Sequence, residues 1–272
     1  MTWAAYRCEL RKLAAQRRSH LGLAACAAGP IGLVLALKLH PPSISDTGAP
    51  FFQRYAERSG FAVPLLMLLF ASIWLFPLVV ALVAGDIVAA EDHNRTLKTI
   101  LTRSTGRSTI FVAKTLAAAT YALAAVVVMG VTASVAGILS SGYAALPTFT
   151  SSVPPGRAAE LVGAGMVVYA VPLMGVVAIG VLLSTVTRNS AAAVVGTLLT
   201  VLLMQLTQIL PGLDSAVAQT WMLAPQLQAW QALFRNPVDT GPILHAAWIA
   251  LLYAVVCLVV AWAHFIRRDV TG

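Results

Sequence analysis

The densest group of side chains able to do chemistry runs from Glu91 to Lys114. It holds Glu91, Asp92, His93, Asn94, Arg95, Thr96, Lys98, Arg103, Arg107 and Lys114. Such acids, amides and cations could serve proton transfer, anion binding or a protein contact. The spacing speaks for contact. Asn94 is a suitable N-cap, and Leu97, Ile100 and Leu101 fall on one helical face at i, i+3 and i+4. Gly106 offers a stop and Ser108 a cap for the next helix. A short amphipathic helix of this kind can insert into a groove on another protein. A solvated connector carrying topology charges would show the same residues, and the pattern leaves both readings open.

Other chemistries find less support. His20, His40, His93, His245 and His264 make no His-x-x-x-His pair and join no cysteine cluster, so no metal site is expected. Cys8, Cys26 and Cys257 are far apart and read as reduced packing residues. No Gly-x-x-x-x-Gly-Lys-Ser/Thr phosphate loop occurs, so ATP hydrolysis by that mechanism is not expected of this chain. No Gly-x-Ser-x-Gly nucleophile elbow occurs either. A lipid-modifying enzyme would need a nucleophile, acid and base gathered at membrane depth, and Asp214 and Asp239 stand alone.

The elements that must position the polar stretch are membrane spans. Of 272 residues, 59% are hydrophobic and 10% charged, against about a quarter charged in soluble domains. The mean hydropathy is +0.83. Six apolar runs, near 21–39, 61–85, 110–140, 160–184, 190–210 and 243–265, are each long enough to cross as a helix. The expected fold is an all-α membrane protein with six transmembrane helices. The first run follows a basic segment and no cleavage site follows it, so it is read as a retained span. Gly175, Gly180, Ala192 and Gly196 suit close helix packing, and Pro77 and Pro172 are places where a kink or plain packing is expected.

Orientation follows from the cations. Thirteen of the 18 Lys and Arg lie in the N-terminus, the 86–114 region, the turn at Arg188 and the C-terminus; Lys38, Arg54, Arg58, Arg157 and Arg235 lie on the other side. The thirteen-residue side is read as cytoplasmic, with both termini there. The +8 charge therefore describes topology, and no nucleic-acid partner is expected.

Three further groups are candidates. Trp3, Tyr6, Leu10 and Leu13 form a stripe, with Arg7 and Arg11 on another face, as expected of a helix lying on an anionic membrane surface; a plain topology signal is the alternative. The 211–241 segment holds Trp221, Leu227, Trp230 and Phe234 around Pro225, too apolar for a free loop and too broken for a span, and suits short helices at the outer interface. Gln205, Thr207 and Gln208 are the central polar groups of the fifth run; they could line a substrate path or make interhelical hydrogen bonds. Lys38, Asp86 and His264 fall near span ends, where they are expected to reach water. A self-contained secondary transporter or channel would need ionisable groups at mid-span or an inverted repeat, and neither is evident.

The run Glu91…Arg95-Thr96-Leu97-Lys98-Thr99-Ile100-Leu101-Thr102…Arg107…Lys114 resembles the second-to-third-span loop of ABC type-2 exporter permeases, particularly the peptide-antibiotic and lantibiotic immunity and drug-efflux branch. So do Glu9-Leu10-Arg11-Lys12-Leu13 and Arg267-Arg268-Asp269. The sequence departs from the pattern at Arg103-Ser104-Thr105-Gly106-Arg107, where many relatives carry a proline. The resemblance implies a connecting helix over residues 1–20 and one permease domain over 21–272. It implies a coupling helix around Glu91, Asp92, Asn94, Arg95, Thr96, Leu97, Lys98, Ile100 and Leu101, and re-entrant external helices between spans five and six. It implies an ABC ATPase subunit that binds ATP and Mg, a second permease copy or paralogue, a place in the cell inner (cytoplasmic) membrane, and export of an amphipathic or hydrophobic substrate such as a peptide antibiotic, drug or lipid. No cofactor is implied for this chain itself.

Overall fold

The computed structural model describes residues 2–39, 56, 58–93, 106–147, 152–187, 189–209, 216–235 and 237–267. The helices, in chain order, are α1 (Thr2–Ala15), α2 (Arg17–Leu39), α3 (Ala62–Ala71), α4 (Leu75–Ala84), α5 (Ala89–His93), α6 (Arg107–Ser141), α7 (Pro155–Thr187), α8 (Ser190–Ile209), α9 (Ala216–Trp221), α10 (Leu223–Gln226) and α11 (Gly241–Ile266). A 3-10 turn, Ala229–Phe234, lies between α10 and α11. Five helices (α2, α6, α7, α8 and α11) are long and apolar enough to cross a membrane, and α3 with α4 form a pair bent by 57° that brings the number to six where the pair is counted as one span. The six expected runs therefore all reappear as helices, one of them broken.

The break falls at 72–74, just before Pro77, which has no N–H to give to Ile73 O and whose ring clashes with that carbonyl; the kink expected at Pro77 is therefore found there. Pro172 sits inside the unbroken α7. At the break, Gln205 Nε2 donates to Ser72 O at 3.4 Å and Ser72 Oγ donates to Leu69 O at 2.8 Å. Side chains thus replace the ladder that the bend interrupts.

The core lies where α7 meets its neighbours. α11 makes its most extensive contact along α7, followed by α2 on α6 and α1 on α6. Tyr169, Phe76, Trp230 and Leu173 are fully buried there. Close approach depends on small residues at two places. A Cβ on Gly137 would lie 2.1 Å from Gly60 O, and one on Gly180 would lie 2.8 Å from Ala84 Cβ, so both pairs need glycine. Ala192, also expected to pack, is exposed. At about 1.5 Å per residue, the 35-residue α6 and 33-residue α7 span roughly 50 Å, well beyond a ~30 Å hydrocarbon core. Their ends therefore stand outside it.

Some connections differ from the sequence reading. Leu146–Pro147 and Ser152–Val153 form a two-residue antiparallel pair between α6 and α7. Ser108 does not cap α6: Gly106 holds that position without a side-chain cap, and Ser108 Oγ accepts from Trp262 Nε1 at 3.3 Å. Asn94, Arg95, Thr96, Leu97, Lys98, Ile100 and Leu101 lie outside the described residues.

Candidate functional site: a buried ion cluster at the loop end

Four charged side chains from three parts of the chain meet where α1 crosses α6. Lys12 Nζ contacts Glu9 Oε1 at 2.7 Å and Glu91 Oε1 at 2.8 Å. Lys114 Nζ contacts Glu9 Oε2 at 3.0 Å and Glu91 Oε2 at 2.7 Å. Each lysine thus bridges both carboxylates, and the formal charge sums to zero. Lys114 also donates to Ile87 O at 3.2 Å, which uses all three donors of its ammonium. Its side chain is 1% exposed, against 37% for Lys12.

The local fold explains how the four meet. Glu9 and Lys12 are three apart on α1 and share a face. That face also carries Tyr6, Leu10 and Leu13, which pack against the bundle, and Tyr6 Oη lies 2.8 Å from Thr120 Oγ1. Most of the stripe expected to face lipid is therefore spent on the protein. Trp3, Arg7 and Arg11 stay exposed. Lys114 is the eighth residue of α6, two turns in. Glu91 is held on α5, whose first N–H groups are satisfied from α7: Val88 N and Ala89 N both donate to Ser184 Oγ at 3.0 Å.

The electrostatics follow from this geometry. Burial by itself would push the Lys12 ammonium down, but the hydrogen bonds and charges of Glu9 and Glu91 more than reverse it and leave it above its ordinary value. Burial would push the Glu91 carboxyl up; the adjacent Lys114 and Lys12 overcome that and hold it below its ordinary value. Both groups therefore stay charged across the physiological range.

A second ionic contact lies beside the first. Asp86, expected to reach water, is 1% exposed. It contacts Arg18 from the start of α2 and Ser190 Oγ from the start of α8. The expectation failed because the turn at 85–88 is folded under α8 rather than projecting past the spans; a Cβ on Gly85 would lie 3.0 Å from Val194 Cα.

Of the residues singled out in the polar stretch, Glu91 is brought into this cluster, and Asp92 is the next residue along α5. Glu9, Lys12 and Lys114 are functional candidates that motif reading did not pair. The signal available was the Glu9–Lys12 spacing and a lysine inside an apolar helix.

Gln205, Thr207 and Gln208 lie elsewhere. Gln208 Nε2 donates to Gln205 Oε1 at 2.9 Å, and Gln205 Nε2 donates to Ser72 O. Gln228 Nε2 donates to Ser72 Oγ at 2.7 Å, and Gln231 Nε2 to Gln228 Oε1 at 2.7 Å. This is an uncharged ladder from α8 across the bend to the 3-10 turn. Thr207 Oγ1 donates to Met204 O. In the 211–235 segment, Leu227, Trp230 and Phe234 are buried in the bundle and Trp221 is exposed. Short helices form there as expected.

The long apolar helices and the buried polar groups where they end define a multi-pass membrane protein. A family model described as a protein of unknown function, DUF2705, matches residues 38–271, and the chain belongs to that family. No curated protein matches it.

Proposed function

We propose that the chain is the membrane permease subunit of an ATP-driven exporter of the ABC type-2 kind, working with a separate ATPase subunit and a second permease. The observation supporting this is where the ion cluster sits in the chain. Glu91 and Lys114 bracket the polar stretch, and their 2.7 Å contact pins its two ends together. Glu9 and Lys12 tie the same point to α1. A force applied to the stretch by a docked ATPase is then delivered to α1 and α6 together. An ion-coupled transporter would place its ionisable groups at mid-membrane, whereas these lie two turns from the start of α6.

The test is reconstitution of the full chain with an ATPase subunit from the same cell. The intact pair couples ATP hydrolysis to export. Leu97→Asp in the stretch and Glu91→Lys in the cluster leave the spans inserted but separate hydrolysis from export. Unchanged coupling in both variants, or failure of any ATPase to co-purify, rejects the reading.

A further inference from the structure

Where α1 gives way to α2 against α6, a pocket of about 200 Å³ opens. Leu10, Leu13, Leu23 and Ala124 give it apolar walls. Ala14 and His20, also among its liners, are exposed, so it reaches the outside of the bundle. Its polar side chains are paired, with one exception. His20 Nε2 lies 2.7 Å from Ala14 O. Thr120 Oγ1 donates to Leu116 O at 2.8 Å, and Tyr121 Oη donates to Ser19 O at 2.9 Å. The Ser19 hydroxyl has no partner, although the residue is only 3% exposed. Buried polar atoms are almost always paired.

The place of Ser19 in its helix leaves that hydroxyl over. Thr115, Thr132, Thr197 and Thr200 each turn back to the carbonyl four residues earlier. Ser19 is the third residue of α2, so no turn of its own helix lies behind it. Gln16 O, three residues back, already accepts from Ser19 N and His20 N, which uses both its lone pairs. Water is a poor fit: one molecule takes up ~30 Å³ and needs two to four polar partners, while this pocket is several times larger and offers one. It suits a largely apolar molecule that carries a hydrogen-bond acceptor.

Depth selects among such molecules. α2 and α6 run side by side in the same direction: Ser19 meets Tyr121 near the start of α2, and Leu37 and Lys38 near its end share a hollow with Ser140 and Ser141. The twenty residues from Tyr121 to Ser141 rise about 30 Å, the thickness of a hydrocarbon core. On α2 the same stretch is bracketed by Arg17-Arg18 and Lys38, with no Asp, Glu, Lys or Arg between. Ser19 and Tyr121 therefore stand at one boundary of the core, the level of the glycerol esters of a bilayer.

We propose that this pocket holds one phospholipid by its glycerol ester, the Ser19 hydroxyl donating to the ester carbonyl and the top of the acyl chain lying among Leu10, Leu13, Leu23 and Ala124. The proposal depends on the membrane crossing alone and is independent of the transporter reading.

The experiment places the full chain in phosphatidylcholine vesicles with a trace of phosphatidylcholine bearing a diazirine high on one acyl chain, ester-linked in one sample and ether-linked in another. Crosslinks are mapped by mass spectrometry. Yield at residues 10–23 and 120–124 is read relative to Val127, Val131 and Val135, which are exposed on α6. The ester lipid is expected to label the pocket about three-fold more than the ether lipid, since a hydrogen bond between membrane groups is worth ~0.6 kcal/mol and ~1.4 kcal/mol is tenfold. Ser19→Ala brings the two lipids to the same yield. Ala124→Trp fills the pocket and removes labelling by both, while the three valines stay labelled. Equal labelling by ester and ether lipid in the wild type overturns the proposal in favour of unselective boundary lipid. Absence of pocket labelling by either, with the valines still labelled, overturns it in favour of a pocket covered by protein. Displacement of the ester lipid by a trace of long-chain alcohol overturns it in favour of a free amphiphile.

Discussion

At the end of the bundle where α1 crosses α6, four charges meet in a closed ring with every ammonium donor of Lys114 used. Toward the end where α8 stops, five neutral residues, Gln208, Gln205, Ser72, Gln228 and Gln231, are joined by hydrogen bonds that meet at the carbonyl and hydroxyl of Ser72. Both arrangements satisfy polar groups inside apolar surroundings, but they fail differently. Losing one partner of a buried ion pair strands a charge, which costs ~3–5 kcal/mol. Losing one hydrogen bond between membrane helices costs ~0.6 kcal/mol on average. The charged end is thus all-or-none, while the neutral end tolerates slippage.

The largest effect is expected from Lys114→Met, which leaves Glu9 and Glu91 sharing Lys12 alone. It should destabilise the detergent-solubilised protein by ~3–5 kcal/mol in thermal unfolding. Adding Glu91→Gln restores neutrality and should recover more than half of the loss. If the two losses simply add, the ring is not acting as a unit and the contrast between the ends collapses.

Acid should separate the two ends more gently. The Glu91 carboxyl is held below its ordinary 4.5 in the folded chain. Its stabilisation is therefore present above that value and lost as pH falls through the lowered folded one. Lys12 is raised above its ordinary 10.5, so its contribution is complete below 10.5 and is lost only as pH climbs through the raised value. Between those limits the loop end should be insensitive to pH. Below 4.5, emission of Trp3, which packs on Tyr6 at 5.4 Å, should report release of α1 before buried Trp230 responds. Simultaneous change at both tryptophans would mean the ends are not separate.

Hydropathy alone placed the long apolar helices and the bent pair, because length and apolar content are local properties. The ion ring was not legible in the same way. Lys114 lies 105 positions from Glu9 and Lys12 lies 79 from Glu91, and each cation reads alone as one more topology charge. Asp86 misled because proximity to a span end does not say whether the following turn projects or folds under. The bend at 72–74 was legible from Pro77, which cannot donate to Ile73 O, but the side chains that satisfy the bend were not. Gln205 and Gln208 stood out as amides in an apolar run, whereas Ser72 is a common residue in membrane helices and Gln228 sits in a segment already broken by Pro225.

Gln205→Leu is the smallest change and the finest probe of the neutral end. It removes the donor to Ser72 O and the acceptor for Gln208, yet leucine fills the space and leaves no stranded charge. The carbonyl at the bend loses a partner that is already long at 3.4 Å. The expected cost is ~0.6 kcal/mol and no more than ~1.7 kcal/mol, the range for polar contacts between membrane helices. Amide hydrogen exchange at Ile73 and Trp74 should rise while that of α1 stays unchanged. A loss as large as that of Lys114→Met would make the ladder as indispensable as the ion ring. The bend would then be a rigid structural element, and the division between a stiff end and a yielding end would have to be given up.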